Sequence, residues 1–494
     1  MQPPSAARRR LIHVAILVTL GACLKGDDRI VYRDRTFDQP PAAAAGFLGY
    51  DDRATKLTVC GNCHVGQQAQ WEDSPHANAF AVLQNSGEMQ GFCQACHTVN
   101  ELGNTLTDTT VGWRATKDVR YHDVQCESCH GPGLQHVTNP DATQPLASIA
   151  AGSPGTTGCA ECHSGAHHPF VAEWQASGHA QVVNNATART SASCIGCHTG
   201  QGVLARWGEQ ANYTERNSTT PQPQTCAVCH DPHGSENTSQ LRHPIDTPDE
   251  DRNLCMQCHN RRGTPDPASS ASGPHAPEGP TILGFAGWWA PAMQFTPGDS
   301  AFLATHGSQR NPRLCATCHV ERFTVTDALT GDFVIQVAGH SFLATPCVDA
   351  NGKPTQERDC PRAERRYEAC AGAGCHVSAA NARGLHTLAE QRILPLVAQL
   401  DALLARIPAS EFSATDGRYT TAEGSRFNSQ LAKAEGAIVH NPFLLEALLR
   451  ASIEQIRRDY GLTPAASISV PTPAMQRLLD GAWRPTASRH TTGR

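Results

Sequence analysis

The chain has 494 residues, of which 39% are hydrophobic and 6% aromatic, and its net charge is −6. That length exceeds one ordinary core, and a charge so near balance argues against a nucleic-acid-binding surface. Gly (41) and Pro (33) describe a loop-rich chain, and the 21 Cys and 24 His are the outlying feature: an interior short of aliphatic groups needs another filling.

At the N-terminus, Arg8–Arg10 form a basic segment and Leu11–Leu20 an apolar one, too short to cross a bilayer as a mature helix. The ending Leu20-Gly21-Ala22-Cys23 resembles a bacterial lipobox. The resemblance implies a signal peptide over 1–22, lipid on Cys23 and a multi-chain membrane anchor. A plain cleaved signal and an uncleaved anchor are the other readings. Leu24 after the cysteine is similar to Gram-negative sorting signals for the outer membrane, which implies an exported protein on its periplasmic or cell-surface side. Residues 23–55 then read as a lipidated N-terminus and an Ala/Pro-rich tether.

Cys-x-x-Cys-His follows eight times: Cys60/Cys63/His64, Cys93/Cys96/His97, Cys126/Cys129/His130, Cys159/Cys162/His163, Cys194/Cys197/His198, Cys226/Cys229/His230, Cys255/Cys258/His259 and Cys315/Cys318/His319. A ninth block, Cys370/Cys375/His376, has four intervening residues. At random composition roughly 0.04 such patterns would occur. Two thiols at this spacing reach the two vinyl groups of one haem, and the next residue places its imidazole under the iron. Zinc ribbons do not require a His after every second Cys, and redox Cys-x-x-Cys pairs occur once per domain. Export to an oxidising compartment also disfavours structural thiolate sites. The expectation is nine haem c groups that form the core, with polypeptide wrapped round them as irregular and helical structure with little β, and with helices at the C-terminus.

Motif positions repeat at intervals near one hundred residues: Cys60 and Cys159, Cys93 and Cys194, Cys126 and Cys226. Trp71-Glu-Asp-Ser74-Pro-His76-Ala77 recurs as Trp174-Gln-Ala-Ser177-Gly-His179-Ala180. Two three-haem modules result, over 56–154 and 155–245. A third haem region, 246–385, departs from the period and carries a Pro/Gly/Trp-rich insertion around Gly273–Gly298. A helical tail occupies 386–494. One helix there is predicted to kink or restart at Pro395, and another to run from an Asn441 cap and Pro442 to a stop at Gly461. These helices are expected to cover the last haems.

The sixth iron ligand separates electron transfer from catalysis. Outside the signal only Met89, Met256, Met293 and Met475 are present, so His/His ligation is expected. The distal candidates are His76, His122, His136, His179, His233, His275, His306, His340 and His440, with His167, His168, His243 and His386 as the remainder. Repeat equivalence favours His76 and His179. His136 and His233 follow their own motifs too closely to swing onto those irons, so each is assigned to a neighbouring haem.

From Cys60 to about Gly461 the chain resembles the multihaem c-type cytochromes with which respiring bacteria move electrons through the periplasm and outer surface. The Trp-x-x-Ser-x-His element and Cys126-Glu-Ser-Cys-His-Gly-Pro-Gly-x-x-His136 are similar to segments of the hydroxylamine-oxidoreductase and nitrifier tetrahaem group. Pro274-His275, Gly339-His340 and His440-Asn441-Pro442 resemble distal-ligand contexts of nonahaem relatives. No Cys-x-x-Cys-Lys motif occurs, and the motif order does not follow the hydroxylamine enzymes. The reading is an electron-transfer protein in respiratory or extracellular electron transfer, with a five-coordinate reductase or oxidase of small nitrogen or sulfur species as the alternative. Implied partners are other redox proteins, such as cytochromes or an outer-membrane porin–cytochrome complex, and the membrane through the lipid. Negative charge favours cationic patches on partners or cationic metal species. Of the two remaining cysteines, Cys347 and Cys360 can pair as a disulfide, or Cys360 can serve the ninth haem as an alternative thiol.

Overall fold

The computed structural model describes residues 37–462, apart from 154–156, 182–191, 210–211, 268–271, 292, 294, 299–304, 373–374 and 414. The signal segment, Cys23 and most of the tether lie outside the described residues, as does the end of the tail from 463. The architecture is mainly helical and irregular. Among the described residues the strands form two antiparallel pairs: β1 (Tyr50–Asp52) with β2 (Leu57–Thr58), and β3 (Phe323–Thr326) with β4 (Phe333–Val337). Cys347 and Cys360 are joined in a disulfide.

Long helices are confined to the C-terminal part: α1 (Ala379–Leu404), α2 (Thr421–Ala432) and α3 (Pro442–Tyr460). Each begins on a side-chain cap. Ser378 accepts from the amide of Asn381, and Asn441 from that of Leu444. Thr420 and Glu423 form a reciprocal capping box. Gly461 closes α3 in the left-handed region (φ 63°), where a Cβ would be strained. Ile393, Val397, Leu400 and Leu403 of α1 interlock with Leu431 of α2 and with Leu444, Leu445, Leu448 and Ile456 of α3. Pro395 does not break α1, which runs through it. The cost of an internal proline, about 3 kcal/mol, is offset because buried residues on both sides of it, Ile393 and Val397, belong to one packed stripe.

Elsewhere the aliphatic clusters are small and separate, the largest being Ala44, Phe47, Phe80, Val99, Val111, Trp113 and Tyr121. Polar anchors take over. The carboxylate of Glu127, inside the third motif, accepts the amides of Leu48 (2.9 Å), Gly49 (2.8 Å) and Gly133 (2.7 Å). Its burial pushes the carboxyl up to about 7 despite those donors. Gly49 has φ +71° and packs so closely on the Arg120 carbonyl that a Cβ would meet it at 2.6 Å.

The sequence repeat has a matching hydrogen bond. Trp71 Nε1 donates to the Val124 carbonyl and Trp174 Nε1 to the Gln224 carbonyl, each at 2.8 Å and each two residues before the third motif of its module. Ser74 and Ser177, both buried, precede the single 3-10 turns that carry His76 and His179.

Candidate haem sites

Each motif closes on itself. The amides of His64, His163 and His230 donate to the carbonyls of Cys60, Cys159 and Cys226 at 2.9 Å, and His259 to Cys255 at 3.0 Å. The ninth motif reaches the same closure by a wider loop, with His376 N–H donating to Cys370 O at 3.0 Å. Its imidazole therefore keeps its place relative to the first thiol, and the extra residues are absorbed between Cys370 and Cys375.

Nδ1 atoms are tied down behind the rings. His97, His130, His230 and His319 place Nδ1 at 2.6–2.8 Å from the carbonyls of Ala79, Pro145, Ser239 and Phe342. His136 and His306 do the same with Thr143 (2.7 Å) and Val439 (2.9 Å). An Nδ1–H donated to a carbonyl leaves Nε2 with its lone pair outward, the tautomer a metal requires.

Eight motif imidazoles each face a second imidazole from elsewhere in the chain. The pairs are His64/His136, His163/His76, His130/His233, His198/His275, His230/His340, His259/His179, His319/His440 and His376/His306, with ring centres 6.0–6.3 Å apart. A ring nitrogen lies about 1.1 Å from the ring centre and binds a first-row metal at about 2.0–2.1 Å, so two imidazoles across one iron have centres about 6.3 Å apart. Interplanar angles run from 22° to 86°, as rotation about a shared axis permits. The residues present thus fit bis-imidazole haem. Burial drives His163, His179, His340 and His440 down to about 4, with neighbouring imidazoles adding to the effect, so these rings are neutral and able to ligate at neutral pH.

His122 is placed differently. It is 6% exposed, stacks on Phe80 with centroids 3.6 Å apart and meets the Trp113 edge at 4.8 Å, with Nδ1 on Arg53. The structure brings no motif imidazole to it among the described residues. His243 packs on Trp207, His386 binds Tyr367 and Glu390, and His167 stacks on Phe333. His168 instead feels the charge of His97. Sequence reasoning passed over it, although a signal exists. The observed pairs translate along the repeat: His76/His163 becomes His179/His259, and His130/His233 becomes His230/His340. Moving His198/His275 back one repeat arrives at His97/His168.

The thiols of different motifs also meet. Cys60 and Cys126, Cys96 and Cys162, Cys159 and Cys226, Cys197 and Cys258, and Cys255 and Cys315 lie within hydrogen-bonding reach. Weaker charge coupling links Cys129 to Cys159, Cys229 to Cys255 and Cys318 to Cys370. These contacts repeat too. First touches third, fourth touches sixth, and seventh touches eighth; second touches fourth, and fifth touches seventh. The seventh and eighth motifs thus stand to each other as the first stands to the third.

Cys63 and Cys375 are exposed, as is Cys129, whereas their motif partners Cys60 and Cys370 are half-buried. Cys63 and Cys375 are the second cysteines of the first and ninth motifs, which stand at the two ends of the row of adjoining thiols. Cys60 adjoins Cys126, and both Cys370 and Cys375 act electrostatically on Cys318. Cys63 also closes the 3-10 turn Cys60–Asn62 immediately before an exposed helical stretch, and Cys375 ends the wide loop that follows Cys370. The spacing of both motifs is unaffected, since the His64 and His376 amides keep their bonds to the first cysteine.

The pattern of the Doubled CXXCH motif family matches residues 221–264, and that of cytochrome c554 and c-prime matches residues 59–131. These matches support the multihaem c-type cytochrome family for this chain. The chain is similar to the C-type polyheme cytochrome OmcB of Geobacter sulfurreducens, at 23% identity over 53% of this chain and 35% of that protein. It is 27% identical to the multiheme cytochrome MtrA of Shewanella baltica over 38% of this chain and 57% of that protein. The chain therefore matches from about a third to just over half the length of these relatives. The crystal structure of the outer cell wall cytochrome OcwA aligns with a TM-score of 0.48 and 20% identity, over 76% of this cytochrome and 78% of that chain.

Proposed function

We propose that this cytochrome is a branched electron conduit of nine covalently attached haems, each held between two imidazoles. The observation that carries the reading is the constant 6.0–6.3 Å between eight pairs of rings brought together from distant parts of the chain. His97 with His168 completes the set by repeat translation, in place of His122. When bound, each haem supplies a one-electron iron couple. The chain's residues do the rest: paired cysteines fix each macrocycle, Nδ1 anchors hold the imidazoles, and both axial positions are filled. With no exchangeable position on any iron, catalysis at a five-coordinate centre is disfavoured.

The thiol contacts define the route. A spine runs through motifs one, three, four, six, seven, eight and nine, with motif two attached at four and motif five at seven. Exposure of Cys63 and Cys375 at its two ends, and of Cys129 at the third motif, supports entry and exit of electrons at these points, where a macrocycle edge would lie within reach of a partner. The part from 246 onward reads as a third, abbreviated module that lacks its middle motif, followed by the ninth haem and the helical tail. Cys23 and the preceding apolar segment support an outer-membrane lipoprotein whose partners are other redox proteins; no helix among the described residues is long and apolar enough to cross a membrane.

Two measurements test the reading. The mass of the mature chain should include nine haems, and the oxidised protein should be low-spin by electron paramagnetic resonance. A substantial high-spin ferric signal that shifts on adding nitrite or hydroxylamine would establish the catalytic alternative instead.

A further inference from the structure

The seventh motif differs from its neighbours in what lies behind its imidazole. His97, His130, His230 and His319 have backbone carbonyls at Nδ1, whereas His259 Nδ1 lies 3.1 Å from Glu278 Oε2. The contact is built, not incidental. Gly279 N–H donates to the His259 carbonyl at 2.7 Å, which locks the turn after Pro277 onto the motif. Thr281 Oγ1 bonds the Pro277 carbonyl (2.7 Å), and Asn441 Nδ2 bonds the Thr281 carbonyl (3.1 Å), so the backbone of the turn that carries Glu278 is held on both sides of it.

Another carboxylate that stands behind a paired imidazole is Asp231, at 3.3 Å from His233 Nδ1. Asp231 is shared with the Arg242 guanidinium at 3.0 Å, which offsets its charge. The side chains that act most strongly on Glu278 are His259 and His440, the latter a ring whose own burial keeps it neutral. A carboxylate acceptor draws the Nδ1 proton away from the ring, strengthens Nε2 as a donor and favours the more positive iron. The position matters because three branches meet here: Cys258 adjoins Cys197, Cys255 adjoins Cys315, and Cys229 couples to Cys255.

We propose that Glu278 is a positioning residue for the haem of Cys255, Cys258 and His259, one that orients the His259 ring and lowers the potential of the haem at the conduit's junction. A lowered junction divides the spine into two sections with a step between them. The inference rests on the conduit reading, since it takes His259 and His179 as the ligands of one iron.

The test is Glu278→Gln in the full nine-haem protein, followed by redox titration with visible and paramagnetic-resonance detection. The amide still occupies the space but is a far weaker acceptor. One of nine midpoints should rise, with the oxidised-to-reduced ratio of that haem changing about tenfold at fixed potential, which is 59 mV for one electron. Glu278→Asp, which restores a carboxylate, should recover part of the shift, while mass shows nine haems in every variant. Midpoints unchanged in Glu278→Gln, beside a single shifted haem in His179→Met, would overturn the role of Glu278 and leave the conduit standing. An unaltered spectrum in His179→Met would overturn the ligand pair, and the inference with it.

Discussion

The three-helix tail and the motif-bearing region solve the same problem with different materials. In the tail, Leu400, Leu403, Leu444 and Leu449 are fully buried in one aliphatic cluster, and burying each such side chain contributes about 1.5–3 kcal/mol. From 56 to 376 the apolar clusters are scattered, and the space between facing imidazoles is where a porphyrin would supply the missing contact. The tail is thus held by its own side chains, whereas the motif region is held by its cofactors, its Trp71- and Trp174-type anchors and the Glu127 clamp. The two are joined where they matter for function. His440 faces His319, and the Val439 carbonyl anchors His306, which faces His376.

The largest effect that could break this contrast is loss of haem. Full-length chain produced without haem attachment should lose protease protection throughout the motif region, since about 1–2 kcal/mol of backbone entropy per residue goes uncompensated. The helices of 379–462 should survive, as read by circular dichroism and fragment mass. Survival of the motif region would refute the cofactor-as-core account.

Next in size is Leu448→Ala. A cavity in the tail core should cost about 2–5 kcal/mol and lower the thermal midpoint. On heating, two haems should turn high-spin before the rest, because His440 leaves with the tail and His306 loses its anchor.

A smaller change separates two neighbouring histidines. His168→Ala should convert one haem in nine to high-spin without loss of covalent haem. His122→Ala should leave the spin state unaltered, with its cost confined to packing on Phe80 and Trp113. The reverse pattern would make His122 a ligand in place of His168.

Smallest is Thr420→Ala, which removes the N-cap of α2 and half of its capping box. Its expected cost is about 0.5–2 kcal/mol in thermal unfolding, with no spectroscopic change at any haem.

Much of the site is readable in the chain because attachment chemistry is local. Cys-x-x-Cys-His is a rule over five residues, and even the ninth motif, with its wider loop, keeps the His376 N–H on the Cys370 carbonyl. Exposure is not local, and no feature of the motifs themselves singles out Cys63, Cys129 and Cys375 as the thiols left at the surface. The Asn441, Pro442 and Gly461 signals of α3 are as local as the motifs and correspond to the observed helix ends. Pro395 shows where a local rule yields, to the packed stripe on its two sides. His122 shows another limit. Its position shortly before the third motif looks like a ligand context, but Phe80, Trp113 and Arg53 occupy its surroundings, and none of these is near it in sequence.

The sequence by itself determined the number and place of the Cys-x-x-Cys-His motifs, their recurrence at intervals near one hundred residues and the helix caps. All of these depend on residues a few positions apart or on the chain's similarity to itself. The tertiary structure alone decided which imidazole faces which motif, which thiols adjoin and that Glu278 stands behind His259. His76 pairs with the fourth motif, not with the first or second that flank it, and His340 with the sixth. A distal ligand touches its motif across a long loop whose length imposes no register, so many partners are open to it along the chain. The choice is made when distant parts of the chain pack against each other.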